Sequence, residues 1–302
     1  MSYIQWGGKR WYQPKPQPRK PDINELMKPL SEKVGRGNIW GSVIMNVPKE
    51  EAPAPPAWSP AEMNNLFDWW RADNGLTLTG SDVDSWEGYN GNILQPYNTS
   101  RKAVYSGSSA VWNSQPSVIF NPNNNTDQVG YYMDRNTAST ITQTSIIVLN
   151  AEAVANDRFW MTLWDNDTSN ASRAGISPSG GNVWRYQEGI VTAGGLYASS
   201  GVPGAAGDYV FGVIEYNASA ATKSISFWIS NTSSLGAVNY TATGTRTPEI
   251  MERLEIGAYL GNLVGFTGTR RFSVVEIIQL SGTFDATDKT NLETYINTRY
   301  GI

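Results

Sequence analysis

Two amino acids are missing from this 302-residue chain: it has no cysteine and no histidine. Without cysteine there is no disulfide framework, no thiolate metal site and no thiol nucleophile. Without histidine the commonest general base and the commonest transition-metal ligand are both gone. Ser-His-Asp and Cys-His catalysis are excluded, which leaves carboxylate, Lys or Tyr chemistry, or a hard cation held by oxygens. Charge is also scarce, at 17% of residues. No run approaches the roughly 18 consecutive apolar residues of a membrane helix. The opening stretch MSYIQWGGKRWYQPKPQPRKP lacks the apolar centre of a secretory signal, so synthesis in a cytoplasm without export is expected. Asn166 with Thr168 and Asn239 with Thr241 then read as turn composition, not glycan acceptors.

What is abundant is turn-forming and aromatic: 29 Gly, 12 Trp and 15 Tyr among many Asn, Ser and Thr. That mixture describes an all-β protein of short strands. Alternating apolar runs recur at 117–121, 144–150, 158–166, 182–187, 208–217, 224–231, 253–261 and 270–282. In SISFWIS, Ile225, Phe227 and Ile229 share one face and Trp228 lies among serines on the other. FSVVEIIQL (272–280) is apolar on both faces except at Glu276 and Gln279, which predicts a central strand covered on both sides. The chain closes on a helix. Asp285 is placed as its N-cap, Asp288 sits in the first turn, Leu292, Tyr295, Ile296 and Tyr300 form one stripe, and Gly301 ends it. Short strands at this spacing predict a two-sheet jelly-roll sandwich, with the helix supplying part of its cover.

The chain divides by character at residue 57. Residues 1–57 hold nine Lys/Arg against five Asp/Glu and nine of the 16 prolines. Such a stretch cannot bury a core of its own and favours extended backbone. Its aromatic and aliphatic residues nonetheless cluster: Ile4, Trp6, Trp11 and Tyr12 near the start, then Ile39, Trp40 and Val43 in GNIWGSVIMNV. We expect an extended, basic, Pro-rich docking arm and linker over 1–57, anchored on a partner by those seven residues, and a β domain over 58–302. The basic excess is small and contains no lysine run, so nucleic acid is not the expected partner.

LFDWWRADNGLTLTGSDVDSWEGYNGN (66–92) resembles the opening of laminin-G-like, concanavalin-A-like jelly rolls found in many phage and bacterial proteins. The matching positions are Trp70, Ala72 and Asp73, then Val83, Trp86, Gly91 and Asn92, then Pro116, Val118 and Phe120. The family's end is matched by Phe266, Gly268, Glu276, Ile277 and Ile278, and by Tyr295, Arg299, Tyr300, Gly301 and Ile302. The resemblance covers about 64–302 and implies the sandwich; it fixes no activity, because this fold hosts binders, enzymes and scaffolds alike.

For chemistry, the nearest glycosidase-like carboxylate run is Asp82, Asp84 and Glu87, which overlaps the structural turn around Trp86. Glu249, Glu252 and Glu255 are spaced by three, which a strand would scatter over both faces. We therefore expect no enzyme and no cofactor. Calcium is an option at the oxygen-rich loops 121–128 and 164–170, where Asp165 and Asp167 could ligate it, although Asx turns account for both loops equally well. Among the tryptophans, Trp164, Trp184 and Trp228 are candidate platforms for a glycan. The combined expectation is a bacteriophage virion structural protein (head fibre, capsid decoration or tail-associated). Its arm would bind capsid or tail proteins, its jelly roll would be displayed outward toward host glycans, and it would assemble as a homotrimer. The alternative is a free or secreted carbohydrate-binding, lectin-like module.

Overall fold

The computed structural model describes residues 3–6, 9–12, 58–123, 129–135, 142–152, 161–164, 173–178, 183–188, 197–203, 207–219, 222–237, 240–244, 252–257 and 271–302. The chain falls into two units, Met1–Pro55 and Pro56–Ile302. In the first, β1 (Tyr3–Trp6) and β2 (Lys9–Tyr12) pair as an antiparallel hairpin that sets Ile4 opposite Trp11 and Tyr3 opposite Tyr12. Gly7-Gly8, between them in sequence, is a dipeptide that two-residue hairpin loops favour.

The second unit is a β-sandwich in which every strand pairing is antiparallel. Beside β3 (Leu66–Arg71) lie β4 (Leu76–Thr79), β5 (Asp82–Glu87), β6 (Ile93–Pro96), β7 (Val104–Ser106), β8 (Ser117–Phe120) and β9 (Tyr131–Asp134). They are followed by β10 (Thr142–Ala151), β11 (Met161–Trp164), β12 (Arg173–Pro178), β13 (Val183–Glu188) and β14 (Tyr197–Pro203). The set is completed by β15 (Asp208–Ser219), β16 (Thr222–Ser230), β17 (Tyr240–Gly244), β18 (Arg253–Ile256) and β19 (Phe272–Leu280). One layer runs β17-β16-β15-β10-β19, and β19 is then shared, its first half pairing β8 and its second half β3. The other layer runs β14-β13-β12-β11-β18-β9-β6; β5 joins the layers by pairing β6 on one side and β7, the neighbour of β8, on the other, while β4 pairs β5.

Between the layers lies a core that includes Trp70, Trp86, Phe120, Ile147, Leu149 and Ile277 from one side and Tyr131, Met133, Leu254 and Ile256 from the other. Residues that carry the family resemblance do structural work here. Trp70 donates its indole N–H to the Asn92 carbonyl, and Trp86 donates to the Arg71 carbonyl, so two tryptophans pin β3 to the turn after β5.

All nine residues of β19 are buried, as their apolar character on both faces predicts. The outer cover is α1 (Ala286–Tyr300). Asp285 caps it by accepting from the backbone N–H groups of Thr287 and Asp288, both at 2.8 Å, and Gly301 closes it at φ 71°. Leu292, Ile296 and Tyr300 pack on Ile146, Val148, Val213, Val275 and Ile278 in a second apolar layer. Register against β10 slips between Val148 and Leu149, where Val275 is the extra residue of a bulge. Strict alternation would aim Glu276 into the sandwich with Phe272 and Val274; the bulge turns it outward under the helix.

Candidate functional site

Beside its buried stripe, α1 carries a second one. Asn291, Thr294, Tyr295 and Thr298 follow the i, i+3, i+4, i+7 spacing that lines up one flank of a helix. This flank faces Trp58 and Ser59, the residues that lead into a 3-10 turn at Pro60–Glu62. The turn is fastened by the Ser59 N–H donating to Glu62 Oε1 at 3.0 Å. Trp58 meets the Tyr295 ring edge-on at 6.2 Å. Asn113 and Gln115, just past a 3-10 turn at Ala110–Trp112, supply the remaining wall together with Arg299. The result is a cleft of about 630 Å³ whose wall, among the described residues, carries two aromatic rings, three carboxamides and three aliphatic hydroxyls and no carboxylate. Asn113 and Ser114 both hold the left-handed backbone conformation, at φ 50° and 63°. Such strain persists only where surrounding bonds over-determine it. Here Ser114 N–H donates to the Ser109 carbonyl and Gln115 N–H to that of Trp112.

A second cleft of about 350 Å³ shares Ser59 with the first and is lined by Ala61, Trp69, Arg71, Asn74, Glu87 and Tyr89. Tyr89 is 61% exposed, a ring presented to solvent. Its place is set from beneath by Asp68, a fully buried carboxylate that accepts from the backbone N–H groups of Asn90 (2.8 Å) and Asn92 (2.9 Å). Gly88 is obligatory in this turn, because a Cβ there would lie 2.3 Å from Asp68 Oδ1.

Glu276 lies behind both clefts, fully buried. Trp69 donates its indole N–H to Oε2, and the Tyr295 (2.8 Å) and Tyr300 (2.5 Å) hydroxyls donate to Oε1. Burial raises its pKa to about 7 against the pull of these donors and of Arg299, 3.6 Å away. With both oxygens engaged, Glu276 holds Tyr295 and Trp69 in place and cannot reach a ligand itself. The two guanidiniums of the site are likewise engaged: Asp73 pairs Arg71 at 3.1 Å and Arg299 at 2.5 Å.

The opposite layer carries a different cluster. Tyr97 stacks on Tyr132 with centroids 4.4 Å apart, and Arg253 lies 4.8 Å over the Tyr132 ring while pairing Asp134 at 2.5 Å. Tyr97 donates its hydroxyl to the buried Glu255, and burial together with that carboxylate raises the Tyr97 pKa. Of the candidate glycan platforms, Trp164 adjoins this cluster by register, paired with Arg253 across β11 and β18. Trp184, on β13, pairs with Pro178 of β12, and the side chains of both tryptophans lie outside the described residues. Trp228 is half-buried and edge-on to Phe284 at 6.2 Å, at the margin of the layer under α1. Trp228 is not among the residues that line the two clefts. Of the docking residues, Ile4, Trp6, Trp11 and Tyr12 lie on β1 and β2 by backbone alone, while Ile39, Trp40 and Val43 fall outside the described residues. So does most of both candidate calcium loops. Within the first, Asn121 spends its side-chain oxygen on the Val129 N–H at 2.7 Å. Among the described residues no group of three acidic side chains gathers as a metal site, and no helix is long and apolar enough to cross a membrane.

The residues that line the clefts were missed in the sequence because they lie far apart in it, from Trp58 to Arg299. The one local signal was the neutral polar flank of the last helix.

No family model and no curated protein matches the chain. Solved structures share its shape. An arabinofuranosidase complexed with arabinofuranosyl-α-1,2-xylobiose superposes with a TM-score of 0.54 at 12% identity, over 72% of this chain and 51% of that one. Domain 4 of a GH43 extracellular arabinanase from Geobacillus stearothermophilus, in complex with arabinotriose, gives 0.52 at 12% identity, over 76% and 98%. The Trypanosoma rangeli sialidase in complex with sialic acid gives 0.50 at 12%, over 78% and 33%. The chain thus spans about half the length of the arabinofuranosidase and a third of the sialidase. The likeness shows the fold, a β-sandwich, and it corrects one expectation. The chain was read as no enzyme for want of a catalytic constellation, yet glycoside hydrolases stand among the structures of this shape. Glycoside hydrolysis in general runs on paired carboxylates or, in sialidases, on a tyrosine nucleophile, so missing histidine and cysteine exclude nothing of that kind. None of these neighbours is a virion protein.

Proposed function

We propose that residues 58–302 are a carbohydrate-binding module. One observation carries the reading: the 630 Å³ cleft between Trp58 and the last helix, whose wall joins two aromatic rings to Asn113, Gln115 and Asn291. Its volume lies within the roughly 300–1,000 Å³ of ligand pockets. A sugar ring has an apolar face that an aromatic side chain covers and a rim of hydroxyls. Carboxamides suit that rim, because each both donates and accepts. The match over 98% of an arabinanase domain in complex with arabinotriose, and 76% of this chain, supports the same reading. The experiment is a glycan array probed with labelled full-length chain and with W58A. Spots that bind the parent and fade with W58A support the module; a silent array ends it.

For the first unit we propose a docking role, because its hairpin sets Ile4 against Trp11 and Tyr3 against Tyr12. The partner proposed is the capsid or tail surface of a virion, with the chain a homo-oligomer. Co-sedimentation of full-length protein, but not of residues 58–302, with purified particles would support it. Equal behaviour of the two would remove it.

A further inference from the structure

Two clefts adjoin at Ser59, and that one residue belongs to both walls. Each offers an aromatic surface, Trp58 with Tyr295 in one and Tyr89 in the other. We propose that they are consecutive subsites for one linear, uncharged oligosaccharide chain that crosses over Ser59. The inference rests on the carbohydrate-binding reading and adds the length and the charge of the ligand.

Length follows from the shared wall. A monosaccharide fills one cleft, whereas a chain of several residues reaches the second ring without losing its independent motion again, so the second contact adds directly to affinity. Tyr89 is fit for this role because its backbone is fixed before any ligand arrives: its N–H donates to the Trp69 carbonyl at 2.9 Å, and Asp68 holds the turn that follows it at Asn90 and Asn92.

Charge follows from Asp73. An acidic sugar would need a cation, and Arg71 and Arg299 are the guanidiniums lining the clefts. Asp73 bridges both, Arg71 is also stacked 4.7 Å over Trp69, and Arg299 leans on Glu276. Glu87 adds a carboxylate to the second wall, which repels a uronate or sialate. A neutral chain meets the carboxamides, hydroxyls and rings without that repulsion.

The test is calorimetric titration of the full chain with neutral arabino- and xylo-oligosaccharides of one to six residues and with matched uronate and sialyl oligosaccharides. Any neutral ligand found on the array is included in the same length series. Affinity for the neutral series is expected to climb with length. Y89A removes about tenfold for the long members and nothing for the monosaccharide. W58A and N291A, each checked for an unchanged melting temperature, weaken every member alike. D73N frees a guanidinium and admits the acidic series. Binding that does not grow with length, or is indifferent to Y89A, overturns the two-subsite arrangement and leaves the module intact. Preference of the parent for acidic sugars overturns the charge selection. Absence of any sugar binding, on the array and in titration, overturns the module and this inference together.

Discussion

The Tyr300 hydroxyl donates to Oε1 of Glu276 at 2.5 Å, fastening the last turn of the helix to the middle of the sheet. Burial raises the pKa of this carboxyl from the ordinary 4.5 to about 7. A folded-state value above the unfolded one means that folding favours the protonated form. The associated stability is fully present below about pH 4.5 and is lost as pH rises through 7, on the order of 3 kcal/mol. Glu215 and Asp288, raised by burial too, push the same way. The melting temperature should therefore fall from pH 5 to pH 8. E276Q should melt lower at pH 5, since an amide cannot accept from Trp69 and both tyrosines, but fall less over that range. A parent protein whose melting is level from pH 5 to 8 would contradict this.

Asp68 accepts from three backbone N–H groups, those of Trp69, Asn90 and Asn92. D68A leaves those donors without their charged partner and should cost roughly 3 kcal/mol in urea unfolding. Amide exchange at Asn90 and Asn92 should accelerate before exchange in β19 does. Unchanged protection at those two amides would show that the turn holds without its carboxylate.

Arg135 is 3% exposed, with no carboxylate partner among the described residues. Its guanidinium donates to Gln143 Oε1 (3.3 Å), Gln279 Oε1 (3.0 Å) and Ser281 Oγ (3.4 Å), and lies 4.3 Å over the Phe67 ring. Burial lowers its pKa to about 10. Q279E would place an anion where a neutral carbonyl now accepts, and the Ser145 hydroxyl can turn to donate to the new oxygen. The expected gain is about 2 kcal/mol at pH 7, vanishing as the carboxylate protonates under acid. A variant less stable than its parent at pH 7 would mean that desolvation of the new charge wins.

Ser114 and Asn113 carry the same left-handed backbone but different duties. S114G should relieve about 1 kcal/mol of strain, partly offset by a freer unfolded chain, and raise melting by about 2 °C. N113G should stabilise similarly while weakening neutral oligosaccharides, because it also removes a carboxamide from the cleft. Equal binding by both variants would take Asn113 out of the site.

The sandwich and the closing helix were legible because their signals are local. Asp285, the apolar stripe and Gly301 lie within one helix, and β19 declares its burial through apolar residues on both faces. Glu276 shows the limit of such reading. It was visible as an exception on an apolar strand, but alternation aims it at the wrong layer, and only the bulge at Val275 sends it to Tyr295 and Tyr300. Arg135 was illegible for a related reason. Its acceptors arrive from β10 and β19, and nothing near it in sequence marks it as buried. The clefts depend on Trp58 meeting Tyr295, a contact that spacing along the chain cannot express. Tryptophans ranked by strand position, such as Trp228, therefore drew attention away from those beside the helix.

β19 lies between β10 and the β3/β8 pair, so the strand in the middle of the layer is also the last one in the sequence. During synthesis the earlier strands wait with a gap where their common neighbour belongs, and residues 272–280 must leave the ribosome before the layer can close. A ribosome stalled near residue 260 would therefore hold a chain with two open sheet edges, prone to recruit a strand from elsewhere. Chaperone demand should peak just before residues 272–280 emerge, and a truncation ahead of them removes the keystone of the layer instead of trimming its border.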